Sequence, residues 1–453
     1  MVATRRLYLR RIRHTRNLCL LWPWPHLLGE LHRELLIAPC AEMSSTLRLA
    51  TSSPTRTWAT IAALYLAQSV PSYLLIMAVP AALRASGMSL TQVGLLSVLM
   101  LPLMLKFLWA PWVDRKSWGR LGHRRGWIVI TQLSCCAAIA ALAWVPPSSI
   151  TALLVVGMVI ALCIATQDIA TDGYATSILH NQTQRATGNG IQAAAVAAGV
   201  LVGGMLSMQL FEHWGWQATL LLMAGLCLLP LLALPWMQET HAAAPPCMRA
   251  ERPSILRLLR RPGIWAILLL AMSYRLSEGM VRSMESSYML TKGLSLSQVG
   301  TLSGTAAVTA GLLGSVVAAW WLRRSSQLTV LLGLCVIRVG CYVLFGMHAS
   351  GHLGGSEVLV VLALTLSMLR YMEMVALYAL FMGASSQKQP GTDFSVFVCA
   401  ELFTYMVSSM AGGAIAQQLS FTGLFAVATG LGVMSLVLTP TLLRKAQHGL
   451  MEH

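Results

Sequence analysis

Again and again along this chain, apolar residues run on for about twenty positions, the length at which an α-helix crosses a hydrocarbon layer about 30 Å thick. Trp58 to Leu83, Ile150 to Leu179, Ile264 to Leu290 and Leu328 to Met347 are examples, and about twelve such runs fit between Trp58 and Leu443. With no water at hand, the backbone polar groups of such runs must bond to one another, and only helices or closed barrels achieve this. Unbroken apolarity over this length, without two-residue alternation, selects the helix. The expected fold class is therefore all-α membrane protein, with about 12 transmembrane helices. Charge supports this reading, since only 11% of the residues are charged while 56% are hydrophobic, far from the balance of a soluble domain.

The chain also repeats itself. Residues 87–94 read Gly-Met-Ser-Leu-Thr-Gln-Val-Gly and residues 293–300 read Gly-Leu-Ser-Leu-Ser-Gln-Val-Gly. Each copy lies between the first and second of six apolar runs, where it reads as a short loop with a serine N-cap opening the next helix. Two pseudo-symmetric six-helix bundles follow, over residues 57–237 and 263–443, joined by a linker at 238–262 around Pro245 and Pro246. Residues 444–453 form a tail. Residues 1–56 form a basic segment in which Arg5, Arg6, Arg10, Arg11, Arg13, Arg16 and Arg33 face three acids. An Arg-rich, acid-poor leader can be a transit peptide. The preferred expectation is that residues 1–42 are not native and that synthesis begins at Met43.

Loop charge orients the bundle. Arg115, Lys116, Arg120, Arg124, Arg125, Arg257, Arg260, Arg261, Arg323 and Arg324 fall on one side, with Arg444 and Lys445 in the tail, while Arg84 and Lys292 stand alone opposite. The rule that cytoplasmic loops are basic places both termini in the cytoplasm. It also accounts for the net charge of +16 without a nucleic-acid partner. No lysine follows a glycine in the pattern that cradles phosphate. No histidine or cysteine spacing suggests a metal. No cofactor, metal or enzymatic activity is expected. Oligomeric state is not legible.

What remains is charge within the apolar runs, which is costly there and usually functional. Arg275, Glu278, Arg282 and Glu285 recur at i, i+3, i+7 and i+10, one face of a helix. They read either as cavity groups or as a ladder of Arg275 with Glu278 and Arg282 with Glu285. Asp168 and Asp172 share a face of span 4, and Arg370 and Glu373 lie on span 10, its counterpart in the repeat. These four are candidates for substrate contact, for a proton relay, or for a charge pair holding the halves together. Glu401 is a cavity candidate on span 11. Gln68 and Tyr73 flank Pro71 of span 1, a possible kink. The cavity set is thus Gln68, Tyr73, Arg275, Glu278, Arg282, Arg370, Glu373 and Glu401, and the proton-coupling candidates are Asp168, Asp172, Glu278 and Glu401. Lys106 reads as snorkelling toward the cytoplasmic end, and Arg338 has no evident role.

The stretch after span 2, from Lys106 through Asp114-Arg115-Lys116 and Arg120 to Arg124-Arg125-Gly126, resembles the loop signature of major facilitator carriers. It departs from the common form in Ala110 and in an insertion before Arg124. With Gln167 to Thr176 and Ala67 to Tyr73, it resembles most the bacterial siderophore permeases of the rhizobactin and pyochelin type, which are related to AmpG-type muropeptide permeases and acetyl-CoA transporters. The resemblance covers roughly residues 58–443. It implies a charge lock at the cytoplasmic side formed by Asp114 with Arg115, Arg120, Arg124 and Arg125, opened and closed during alternating access. It further implies a secondary carrier of the bacterial inner membrane that imports a ferric siderophore, with protons as a coupling ion to consider. A muropeptide or another anionic metabolite, or drug efflux, is the alternative. Against muropeptides stands the short stretch after span 12, since those permeases tend to carry further C-terminal spans. From another class, a membrane sensor that has lost transport is retained as a competitor.

Overall fold

The computed structural model describes residues 54–118, 121–237, 239 and 252–451. Met43, Arg120, Pro245 and Pro246 lie outside the described residues, and so do the expectations attached to them. The residues from Trp58 onward form one compact unit. The described residues are helices joined by turns.

Among the described residues, nine helices are long and apolar enough to cross a membrane. Two of them are too long to cross it once. Gln182–Trp236 and Pro390–Leu450 hold 55 and 61 residues, and at 1.5 Å per residue they would measure about 80 and 90 Å if straight. Each breaks at a residue with positive φ, Gly215 (75°) and Ser420 (62°). They are therefore two helix pairs, α5 and α6 (182–214 and 216–236) and α11 and α12 (390–419 and 421–451).

The other crossings are α1 (Pro54–Tyr73, continued by a π turn Leu74–Ala78 and by Val79–Ala85), α3 (Arg124–Leu142) and α4 (Ile150–Ile178). In the second half they are α7 (Ile264–Thr291), α8 (Leu296–Thr301, a π turn Leu302–Ala306 and Ala307–Arg324), α9 (Gln327–Ala349) and α10 (Ser356–Ala384). α2 completes the set in pieces, from Leu90–Leu95 to Ala110–Arg115, with two 3-10 stretches between. Pro102 and Pro111 each remove a backbone donor and collide with the carbonyl four residues back, which is why α2 is not one long helix. The result is the expected pair of six-helix bundles.

The repeat is visible in detail. Gly87 and Gly293 turn at φ 91° and 90°, a region glycine enters without a Cβ penalty. Ser89 and Gln92 then exchange capping bonds, as do Ser295 and Gln298. The octapeptides are 206 residues apart (87 to 293), and so are the starts and ends of α4 and α10 (150 to 356, 178 to 384). This spacing allows positions to be matched between halves.

Pro71 lies inside α1, and the π turn begins three residues later. The proline cannot donate a bond, and Ser72 Oγ caps the Gln68 carbonyl at 2.6 Å. A local widening near a cavity is the physical result.

Candidate functional site

The intramembrane charges separate into two clusters. In the first half, Lys106 of α2 is 1% exposed and does not snorkel, contrary to the expectation from sequence. It bonds Asp168 and lies 3.7 Å from Asp172, both on α4. The break in α2 above Pro111 puts this lysine inside the bundle. From α1, Gln68 Nε2 donates to Asp168 Oδ1 (2.6 Å) and Tyr65 OH to Asp172 Oδ1 (3.2 Å). Residues three apart on α1 thus meet residues four apart on α4, each pair sharing a helix face. The trio holds two carboxylates for one ammonium.

In the second half, Arg275 of α7 bonds both Glu278, one turn on, and Glu401 of α11. Arg370 of α10 approaches Glu278 at 3.6 Å. Arg282 pairs with Glu285 at 2.8 Å. The ladder read from the spacing is therefore present, and interhelical bonds are added to it. Arg338 pairs with Glu373 at 3.2 Å and lies over the Tyr274 ring. Glu373 is 1% exposed and borders a small crevice together with Glu278, Arg282 and Arg370. The charge pair between halves that α4 and α10 suggested is not formed. Asp168 and Asp172 find Lys106, and Arg370 finds Glu278, each inside its own bundle. A buried charge is stabilised by the nearest opposite one, and each half already contains it.

Arg370 stands apart from the rest. It occupies the middle of α10, yet its side chain is 44% exposed. Its guanidinium lies 5.8 Å from the centre of the Tyr405 ring of α11. Tyr73 of α1, in the other half, is within electrostatic reach. The guanidinium is therefore accessible in the middle of α10, beside Tyr405 and within reach of Tyr73. Tyr378 of α10 lies between the two clusters, within reach of Glu401, Arg275, Asp172 and Asp168.

At the basic end the halves are fastened. Asp114 bonds Arg124 and accepts from the Thr392 backbone N–H and hydroxyl, both at 2.6 Å. Two glycines make room for this lock. A Cβ on Gly173 would sit 2.7 Å from the Arg124 guanidinium, and one on Gly391 would sit 2.8 Å from Asp114 Oδ1. Gln182 to Leu322 and Ser325, Arg323 to Thr187, and Gln387 to Thr176 add further bonds across the same end. Of the expected lock residues, Arg124 takes part directly. Arg125 instead holds the end of α6 through the Met237 carbonyl, and Arg115 is exposed. His123 donates to the Val113 carbonyl (3.0 Å), and burial, followed by the Arg124 cation, pushes its imidazole below the ordinary value. Thr392 was not found from sequence. Its signal is the Gly391-Thr392-Asp393 start of α11, whose free N–H groups invite an acid.

Replacing Asp114 by alanine removes three acceptor bonds and leaves Arg124 without its partner. Charged hydrogen bonds contribute about 1.5–3 kcal/mol each. Maleimide labelling of a cysteine placed at buried Thr176 is therefore expected to rise at least about tenfold in the Asp114→Ala background. Unchanged labelling would show that the lock does not hold this end shut.

Residues 61–369 match the Major Facilitator Superfamily. The chain belongs to this superfamily. Among relatives of this carrier, the anhydromuropeptide permease of Escherichia coli K12 is 29% identical over 256 residues, covering 55% of this chain and 52% of that protein. The chain spans about half the length of the curated relatives it matches. Among solved structures, the major facilitator transporter FucP in its outward conformation superposes with a TM-score of 0.65 at 16% identity, covering 85% of this chain and 98% of that one. A bacterial homologue of the iron transporter ferroportin gives 0.65 at 16%, covering 86% and 100%. These likenesses speak for the fold, and the major facilitator carrier is a multi-pass membrane transporter.

Proposed function

We propose that this carrier moves an anionic metabolite of the muropeptide class across the bacterial inner membrane by alternating access. One observation carries the anionic part: Arg370, exposed at mid-membrane depth between tyrosines of the two halves. A planar guanidinium that is only loosely held by Glu278 offers a carboxylate a bidentate, charge-assisted contact in a low-dielectric site. Tyr73 and Tyr405 add apolar faces with polar tips. The muropeptide part is supported by the relationship to the anhydromuropeptide permease, which favours this substrate over the ferric siderophore suggested by the motifs of spans 1 and 4.

In this reading the basic end is cytoplasmic, as loop charge indicates, and residues 57–237 and 263–443 are the two moving bodies. The lock at Asp114 then shuts the cytoplasmic side in this conformation, and inward transport is the direction that the family resemblance implies. The surplus carboxylate of the Lys106, Asp168 and Asp172 trio offers a proton site for coupling.

The test is uptake of labelled anhydromuropeptide, and separately of ferric siderophores, by cells that lack their own permeases. Anhydromuropeptide uptake is expected, and Arg370→Ala should lower it at least about tenfold through loss of a charge-assisted contact. Uptake of a ferric siderophore alone would return the function to iron acquisition. Uptake of neither, with unaltered Arg370→Ala, would remove the anionic-ligand reading.

A further inference from the structure

Glu373 and Arg338 are not used by the function proposed above, and their surroundings are unusual. They border a crevice between α7, α9 and α10, lined also by Glu278, Tyr342, Ser367 and Arg370. It has room for about one water, too little for a metabolite. Several buried polar atoms here lack a hydrogen-bond partner: Glu373 Oε1, Arg338 Nε, and Oε1 of Glu278 and Glu285. The Arg338 Nη1 that faces Glu373 Oε2 at 3.2 Å also donates to the Tyr274 carbonyl at 2.7 Å. Glu373 is thus a buried carboxylate held by charge, with one oxygen open to a water-sized space.

The other half shows what the fold alone requires at these places. Moved back by the 206-residue repeat, Arg338 and Glu373 correspond to Gln132 and Gln167. Both glutamines are buried, and their hydrogen bonds are neutral, Gln132 to the Cys227 carbonyl and Thr131 to Gln167. Gln132 Oε1 and Gln167 Nε2 are also buried without a partner, so the two halves differ here in charge and not in hydrogen-bond satisfaction. A buried ion pair stabilises no better than a neutral pair and often worse, so packing does not explain the charges in the second half.

We propose that Glu373 is a proton-binding group of the second half, and that it takes up a proton when an anionic ligand engages Arg370. The inference rests on the anionic-ligand reading given above. At rest Arg275, Arg338 and Arg370 balance Glu278, Glu373 and Glu401. A ligand carboxylate on Arg370 adds one negative charge to this low-dielectric cluster, and one proton restores the balance. Glu278 and Glu401 are bonded by Arg275 and Glu285 by Arg282 at 2.8 Å, which leaves Glu373, with no hydrogen bond from its arginine, as the acceptor. Its carboxylate gains the proton from a hydronium in the crevice and becomes a carboxylic acid, releasing water, while Arg338 stays charged.

The groups around Glu373 are known on every side. α7 brings Tyr274, Arg275, Glu278, Arg282 and Glu285, α9 brings Arg338, Cys341 and Tyr342, and α11 brings Glu401. Arg370 is on its own helix. α8 and α5, which also pack on α10, carry Arg323, Arg324 and Arg185 toward their basic ends, and α5 carries Glu212 and His213 at its other end.

The experiment uses the full chain purified in detergent, an anhydromuropeptide as probe, and a pH-indicator dye in weak buffer. Wild type should take up about one proton per ligand, and Glu373→Gln should bind the probe within about twofold while taking up about one proton fewer. The mirror variant Arg338→Gln with Glu373→Gln, copying the first half, should fold and show the same loss. A second arm needs no ligand. Arg370→Gln changes the cluster charge by the same unit, so infrared difference spectra near neutral pH should gain a protonated-carboxyl band that vanishes when Glu373→Gln is added. Proton uptake undiminished in Glu373→Gln, or a band that survives it, overturns the proposal. Failure of wild type to bind the probe removes the substrate reading instead, and the infrared arm then decides the role of Glu373.

Discussion

Arg275→Ala is expected to abolish transport and to lower the unfolding free energy by about 3–5 kcal/mol, the cost of removing one partner from a buried ionic group. Arg275 is 8% exposed and bonds two acids, Glu278 (7%) and Glu401 (2%). Without it, Arg370 at 3.6 Å is the cation left near Glu278, and Glu401 loses the guanidinium it bonds. The check is thermal unfolding in detergent beside an uptake assay. A companion variant separates folding from function. Arg275→Met with Glu278→Gln and Glu401→Gln removes the charges together, and should recover most of the stability with transport still absent. If the single variant melts like wild type, the cluster is wetter than its burial indicates.

Lys106→Met should be nearly as damaging, and in an asymmetric way. It leaves Asp168 and Asp172 one helical turn apart with no cation, again at about 3–5 kcal/mol. Asp172→Asn does the opposite, turning a trio with one surplus negative charge into a matched pair. It should cost no more than about 1 kcal/mol while impairing proton-driven accumulation. Triple replacement, Lys106→Met with Asp168→Asn and Asp172→Asn, is expected to fold. Equal destabilisation by Lys106→Met and Asp172→Asn would refute the charge count on which this rests.

The helical bundle was legible because bilayer thickness imposes its own length on the sequence, and the octapeptide repeat announced the two halves. The ladder on α7 followed from its spacing. Partners across helices did not. Lys106 was misread because snorkelling is the usual fate of a lysine near a helix end, and the two prolines that break α2 change where that end lies. Arg338 looked idle because its partner, Glu373, is on another helix. Tyr65 carries no charge and nothing in the sequence marks it, while Thr392 is marked only by its place at the start of α11. The repeat pairs span 4 with span 10 in the sequence, and its 206-residue spacing also pairs single positions. It matches Arg338 and Glu373 with Gln132 and Gln167, and this contrast between halves draws attention to the pair.

Among the described residues, each ion pair at hydrocarbon depth lies within one bundle, whereas the hydrogen bonds of the lock join the two bundles at the basic end. When the carrier reverses, no dehydrated charge has to exchange its counter-ion. In the alternating access proposed above, the bonds to be severed are the hydrogen bonds of the basic end, where water can replace them.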